Sequence, residues 1–224
     1  MSEFFLQGGG QASEAIKSFN WEKTPLGSIA FWSPYLKNSI NICLNSAYPV
    51  FVGWGPQLIM FYNQPYAKLL DGKNNYQGIG KPLKEFWAEI WNILNPNIEK
   101  VMVTGAPVEL EDQIFFFKRN GLQEERYFSF SLSPIWVNDG IGGIMNMAIE
   151  TTAKVLNTRR LQWQHITLEK FIHQVPAAVC VLGGDQLKFE LVNPAYQKLF
   201  PGRKLMGKNL LDALPEIKGS SIHG

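Results

Sequence analysis

Two stretches of this chain, about 127 residues apart, carry the same landmarks in the same order, and a repeat of that length marks one supersecondary unit used twice. Pro49 to Trp54 opens the first stretch and Pro176 to Val181 the second. Each runs through an apolar segment to Asn-x-x-Tyr, as Asn63 to Tyr66 and Asn193 to Tyr196, and on to Gly-Lys-x-Leu, as Gly80 to Leu83 and Gly207 to Leu210. An isoleucine closes both, Ile90 in one and Ile217 in the other.

The residue types give the unit a shape. Val50 to Trp54 is β-branched and aromatic, Gly55-Pro56 is a turn, and Leu58 to Tyr62 resumes a short strand. Asn63 suits a helix N-cap, because its side-chain oxygen can accept a backbone N–H that the first turn leaves orphaned, and Pro65 falls where no donor is missed. Asn193 and Pro194 repeat that logic.

Beyond Ile90 the pattern predicts a helix to Val103, ended by Thr104-Gly105, with Pro96 starting a new turn or kinking it. Three extended runs follow: Val108 to Phe117, a turn at Asn120-Gly121, Arg126 to Ile135, a turn at Asn138 to Gly140, and Gly143 to Glu150. These predict an antiparallel meander, apolar on both faces and needing cover on both. One cover is the helical part of the unit. The other is a helix that starts at Ser33-Pro34 and runs to about Asn45, with Tyr35, Leu36, Ile40, Cys43 and Leu44 as its apolar stripe. Between the copies, residues 152–174 contain neither Pro nor Gly, and Leu161, Leu168 and Val175 recur at heptad spacing, which predicts a connector helix.

The fold class that results is α+β: a five-stranded antiparallel sheet with flanking helices, a connector helix, and a second unit begun in the same way. The expected divisions are residues 1–46 as a flank with a helix, 47–151 as the first domain, 152–174 as the connector and 175–224 as the first half of a second domain. That half has no counterpart of the three-stranded meander, so its apolar residues Leu210, Leu211, Leu214 and Ile217 are expected to be poorly covered, to borrow strands, or to belong to a longer protein.

Charge excludes little and favours little. A net charge of +2 argues against nucleic acid or an anionic membrane as partner, and no apolar run reaches the ~18 residues of a membrane helix. A cytoplasmic protein is the expectation. Cys43 and Cys180 lie in apolar stretches and read as small buried hydrophobes rather than metal or redox pairs.

The motifs themselves carry a resemblance. Asn20-Trp21 with Thr24 to Gly27, Tyr62-Asn63-x-x-Tyr66, Gly80-Lys81-Pro82, Ser133-Pro134-Ile135, Gly142-Gly143 and Glu150-Thr151-Thr152 together resemble a PAS-domain sensor, in particular the N-terminal sensory region of bacterial PAS-containing histidine kinases. The likeness covers residues 20–152 as a whole domain and 168–217 as the first half of another. It implies a sheet that encloses a small cavity and an exit helix that passes a signal on.

Catalytic candidates are sparse. His165, His173 and His223 lack the phospho-acceptor box of that family, and Glu109, Glu111, Asp112, Glu124 and Glu125 have no histidine or nucleophile beside them in sequence. No metal site is expected. A flavin-photoactive Asn-Cys-Arg-Phe run is absent and residues 20–152 hold no histidine for haem iron, so neither flavin nor haem is expected, and the identity of any cofactor stays open. The cavity-lining candidates are Phe51, Tyr66, Trp87, Trp91, Tyr127 and Phe130, with Asn63, Ser129 and Asn146 as polar points; the same aromatic set would also serve as a solid core.

The function expected is a sensory module, non-catalytic within this chain, that binds a small ligand or partner and relays conformation through the connector to a histidine kinase output region. The partners expected are that output region, a small-molecule ligand and a second copy in a homodimer. Phosphotransfer by the chain itself and a ligand-free interaction scaffold are the alternatives.

Overall fold

The computed structural model describes residues 4–70, 76–119 and 122–219, so the expected Asn120-Gly121 turn and His223 lie outside the described residues. The chain divides into two compact units, residues 1–155 and 156–224, each treated by itself below.

In the first unit, α1 (Gly10–Ser18) and α2 (Pro34–Asn45) precede two short strands, β1 (Val50–Trp54) and β2 (Ile59–Tyr62). Three helices follow, α3 (Gln64–Leu69), α4 (Leu83–Phe86) and α5 (Trp91–Thr104), and then the meander β3 (Val108–Arg119), β4 (Leu122–Val137) and β5 (Gly140–Glu150). The strands make one antiparallel sheet in the order β2-β1-β5-β4-β3, so the meander folds back to lay β5 against β1. This is the PAS-like, five-stranded sheet with flanking helices that the resemblance implied.

Side-chain alternation sorts the sheet into two faces. Phe51 stands opposite Tyr62 on one side and Asn146 on the other, and Asn146 opposite Leu132, so these residues share the inner face. Val52 and Phe61 pair on the outer face. There Trp21 stacks on Phe61 at a centroid distance of 5.0 Å and Trp32 meets both edge-on, at 4.8 Å from Trp21 and 5.4 Å from Phe61. The flank before β1 therefore belongs to the same core as the sheet, with Leu6, Ala12, Ile16, Leu36, Ile40 and Cys43 buried in it.

α2 covers β1 and β2, while α5 packs on β3, β4 and β5. The outer face is thus only partly roofed: Met147 and Ile149 on β5 keep 41% and 47% of their surface exposed. Helix boundaries follow local chemistry. The Ser33 hydroxyl accepts the Leu36 N–H at 3.2 Å to start α2, and Gly105, at φ +67°, closes α5 by donating to Val101 O at 2.9 Å. The expected break at Pro96 does not divide α5, which runs through it from Trp91 to Thr104. Leu58 is not strand, as its sequence suggested, but holds φ +50° in the turn before β2.

Asn63 is a knot between these elements. Its Oδ1 accepts from Val50 N at 3.1 Å and Tyr66 N at 2.9 Å, and its Nδ2 donates to the carbonyls of Cys43, Ser46 and Tyr48 at 3.1, 3.1 and 2.7 Å. One fully buried side chain fastens the end of α2, the start of β1 and the cap of α3.

From Leu156 onward α6 (Thr152–Gln174) belongs to the second unit, with β6 (Cys180–Gly183), β7 (Lys188–Val192), α7 (Pro194–Gln197) and α8 (Leu210–Ala213). Asn193 ties the same knot: its Oδ1 accepts from Val179 N and Tyr196 N, and its Nδ2 donates to Ile172 O, Val175 O and Ala177 O. Leu187, at φ +49°, repeats Leu58. The knots correct one detail of the sequence match, for Tyr48 corresponds to Ala177, and Pro49 therefore to Ala178 rather than Pro176. A register shift between Val181 and Leu182 gives β7 one extra residue, which is why the strands and the asparagines align with different offsets.

Gly53 and Leu182 are counterparts in the two hairpins, opposite Met60 and Phe189 respectively. A Cβ on Gly53 would come within 3.2 Å of the Leu58 Cβ and 3.3 Å of the Ile144 side chain, so a larger residue where β1 pairs with β5 would make these neighbours give by a few tenths of an ångström. In the second unit Phe189, Leu205, Ala213 and Leu214 are buried, whereas Cys180, Leu182, Val192, Tyr196, Phe200, Leu210 and Ile217 are only partly covered. On α6 no described residue is buried, and Leu161 and Leu168 lie exposed. No described helix is long and apolar enough to cross a membrane.

Candidate functional site

A continuous run of aromatic rings crosses the inner face of the first unit. Phe51 meets Tyr66 edge-on at 5.4 Å, Tyr66 touches Tyr62 at 5.6 Å, and Tyr62 reaches Tyr76 at 6.2 Å and Phe86 at 6.3 Å. Phe86 leads to Trp87 at 5.1 Å, Trp87 to Phe117 at 6.2 Å, and Phe117 through Phe115 to Phe128 and Phe130. The rings come from several pieces of the fold: β1 and β2 supply Phe51 and Tyr62, the capped turn of α3 supplies Tyr66, α4 and its exit supply Phe86 and Trp87, and β3 and β4 supply the phenylalanines.

Polar atoms inside the run are few. The Tyr66 hydroxyl is enclosed, and burial pushes its pKa well above the usual tyrosine range while the Trp87 indole N–H beside it pulls the other way. The Tyr62 hydroxyl accepts the Gly78 N–H at 3.1 Å, and burial pushes it up to about 12. Asn146, buried on β5, donates through Nδ2 to Ser131 O at 3.2 Å. The rings lie in mutual contact, with the Tyr66 and Tyr62 hydroxyls and the Asn146 amide as polar points among them.

The structure brings together five of the nine residues singled out from the sequence: Phe51, Tyr66, Trp87, Phe130 and Asn146 share the inner face. Four lie elsewhere. Tyr127 and Ser129 alternate with Phe128 and Phe130 along β4 and so project from the opposite face, where the Tyr127 hydroxyl contacts Glu125 and the Ser129 hydroxyl contacts Asp112. Asn63 gives its whole amide to the backbone knot and has nothing left for a ligand. Trp91 is half-buried and lines a surface groove of about 450 Å³ with Pro56, Leu58, Ile98 and Met102. Tyr62, Phe86, Phe115 and Phe117 were missed. The period of two was the available signal, since Tyr62 sits one residue before the capping Asn63, and Phe115 and Phe117 alternate with Phe116.

Among the described residues no group of three or more His, Cys, Asp or Glu side chains stands close enough to hold a metal ion. Of the carboxylates noted in sequence, Asp112 faces Ser129 and Lys154, and Glu124 pairs with Arg126 at 3.3 Å.

No protein-family model and no curated protein matches the chain. Solved structures do. VqmA bound to DPO is 19% identical over 46% of this chain, with a TM-score of 0.37, and the chain spans about half, 52%, of that protein's length. A sensory box sensor histidine kinase from Vibrio cholerae is 14% identical over 46% of this chain and 82% of its own, at a TM-score of 0.35. The PAS domain of a protein from Colwellia psychrerythraea is 17% identical over 53% of this chain and 98% of its own, at 0.36.

Proposed function

We propose that this chain, whose first unit has a PAS-like fold, is a sensory module in which the inner-face ring cluster takes up a small ligand and α6 carries the change onward to a histidine kinase output region. The observation that carries the reading is the enclosed pair of Tyr66 and Trp87 at the middle of the ring run, a polar point in an apolar surround that rings from four elements share. A ligand seated there would touch β1, α3, α4 and β3 at once, so its binding energy would bear on how the sheet and helices pack. The site residues proposed are Phe51, Tyr66, Trp87, Phe130 and Asn146, joined by Tyr62, Phe86 and Phe117.

Native mass spectrometry and an absorption scan of the purified full chain test this. Co-purification of a small molecule in the wild type, lost in Tyr66→Ala and Trp87→Ala variants that keep their circular dichroism, supports it. An unliganded wild type that also fails to bind any member of a small aromatic and heterocyclic library sinks the ligand reading. The ring contacts favour a second reading, in which the inner face is a solid core and the module acts through protein contacts; that reading expects the variants to lose stability and nothing else. Incubation with labelled ATP separates both from phosphotransfer by the chain itself, since neither expects label.

A further inference from the structure

Strand β3 is an edge of the sheet, and it breaks step with β4 in one place: Leu110 stands opposite Phe130 but Gln113 opposite Phe128, which leaves Glu111 and Asp112 together against Ser129. At that bulge Asp112 takes φ +46°, a left-handed conformation that costs an L-residue energy and is tolerated best by Asn and Asp after Gly. The bulge re-aims the side chain. Asp112 N donates to Ser129 Oγ at 3.0 Å, Ser129 Oγ lies 3.4 Å from Asp112 Oδ1, and Asp112 Oδ2 is 3.5 Å from Lys154 Nζ. The nearby Thr151 hydroxyl, which makes no hydrogen bond of its own among the described residues, the Lys154 ammonium and Ser129 together hold the carboxyl below the usual aspartate range.

Thr151 and Lys154 are the last residue before α6 and a residue of its first turn. Thr151 already has a backbone tether, its N–H donating to Tyr127 O at 2.7 Å, and its own carbonyl accepts the Val155 N–H at 3.0 Å to begin the helix. The carboxylate therefore reaches, from an edge strand some forty residues upstream in sequence, the place where the helix starts.

We propose that Asp112 is a positioning residue for α6: the register break in β3 turns its carboxylate onto Lys154 and thereby steadies the first turn of the helix, so that any rearrangement of the β3 edge changes how firmly that turn is held. The strained backbone is what makes the contact, and the contact is what keeps the strained backbone in place. The inference uses contacts within the first unit and stands whether or not the ring cluster binds a ligand.

Hydrogen exchange of the full chain, followed at Val155, Leu156 and Asn157, tests it. Asp112→Gly relieves the left-handed strain and deletes the carboxylate, so the sheet amides of Val52 and Met145 exchange no faster than in the wild type while those of residues 155–157 exchange roughly fivefold or more faster. Asp112→Asn keeps the bulge and loses the charge. In the wild type, raising salt from ~0.1 M to ~1 M shortens the screening length from about 10 to about 3 Å and speeds exchange at 155–157, and in Asp112→Asn that salt response disappears. Exchange at 155–157 within twofold of wild type in Asp112→Gly, an increase of equal size at Val52 and Met145, or a salt response that persists in Asp112→Asn overturns the proposal.

Discussion

The Trp87 indole N–H lies beside the Tyr66 hydroxyl in a place that water does not reach, between one ring from β1 and another from β3. Tyr66→Phe removes that oxygen from beside the indole, and the loss of one buried polar contact costs about 0.5–1.5 kcal/mol. The expected result is a lower urea midpoint with an unchanged slope and a shift in tryptophan emission. An unchanged midpoint would mean that the two groups do not matter to one another.

Removing the asparagine knots separates the two units. Asn63→Ala strips two buried N–H groups and three carbonyls of their partner, an expected loss of about 2–4 kcal/mol in the first unit. Asn193→Ala makes the same change in the second and should release only residues 179–217. Peptide-resolved hydrogen exchange reads both, and a variant that loosens the other unit equally contradicts the division.

The units should also differ in stability before any mutation. The second buries Phe189, Leu205, Ala213 and Leu214 where the first buries a sheet's worth of apolar side chains, and each full burial contributes about 1.5–3 kcal/mol. Residues 180–217 are therefore expected to exchange at lower urea than residues 50–62. Coincident transitions would disprove this.

Alkaline pH offers a test of the inner face. Tyr62 has its pKa raised from 10.0 to about 12 by burial, so the folded state prefers the neutral phenol. A raised folded value gives a contribution complete below pH 10 and lost as pH climbs from 10 through 12. Tyr62→Phe should flatten the stability profile in that window, and absorbance titration should show one phenol fewer ionising late.

Much of this was legible in the primary structure because the signals were local. Asn63-x-Pro65 announces a capped helix by its own chemistry, and the duplicate at Asn193 doubles the weight of the reading. The meander was visible in β-branched and aromatic runs, and its strands proved longer than drawn because the hairpin arms pair almost to their turns. What failed was the choice of face. Tyr127 and Phe128 are equally apolar neighbours, and only the pairing of β4 with β5 decides which points inward. Asn63 was mistaken for a ligand contact for the same reason: a buried amide looks alike in sequence whether it meets a guest or three carbonyls.

The leucine at 182 marks where the two hairpins part company. At Gly53 the first unit presents bare backbone to Leu58 and Ile144, whereas its counterpart Leu182 turns an apolar side chain toward the small cluster around Phe189. The two units, drawn to one plan, are therefore not interchangeable parts: the same strand position serves the β1–β5 pairing in one and the local core in the other.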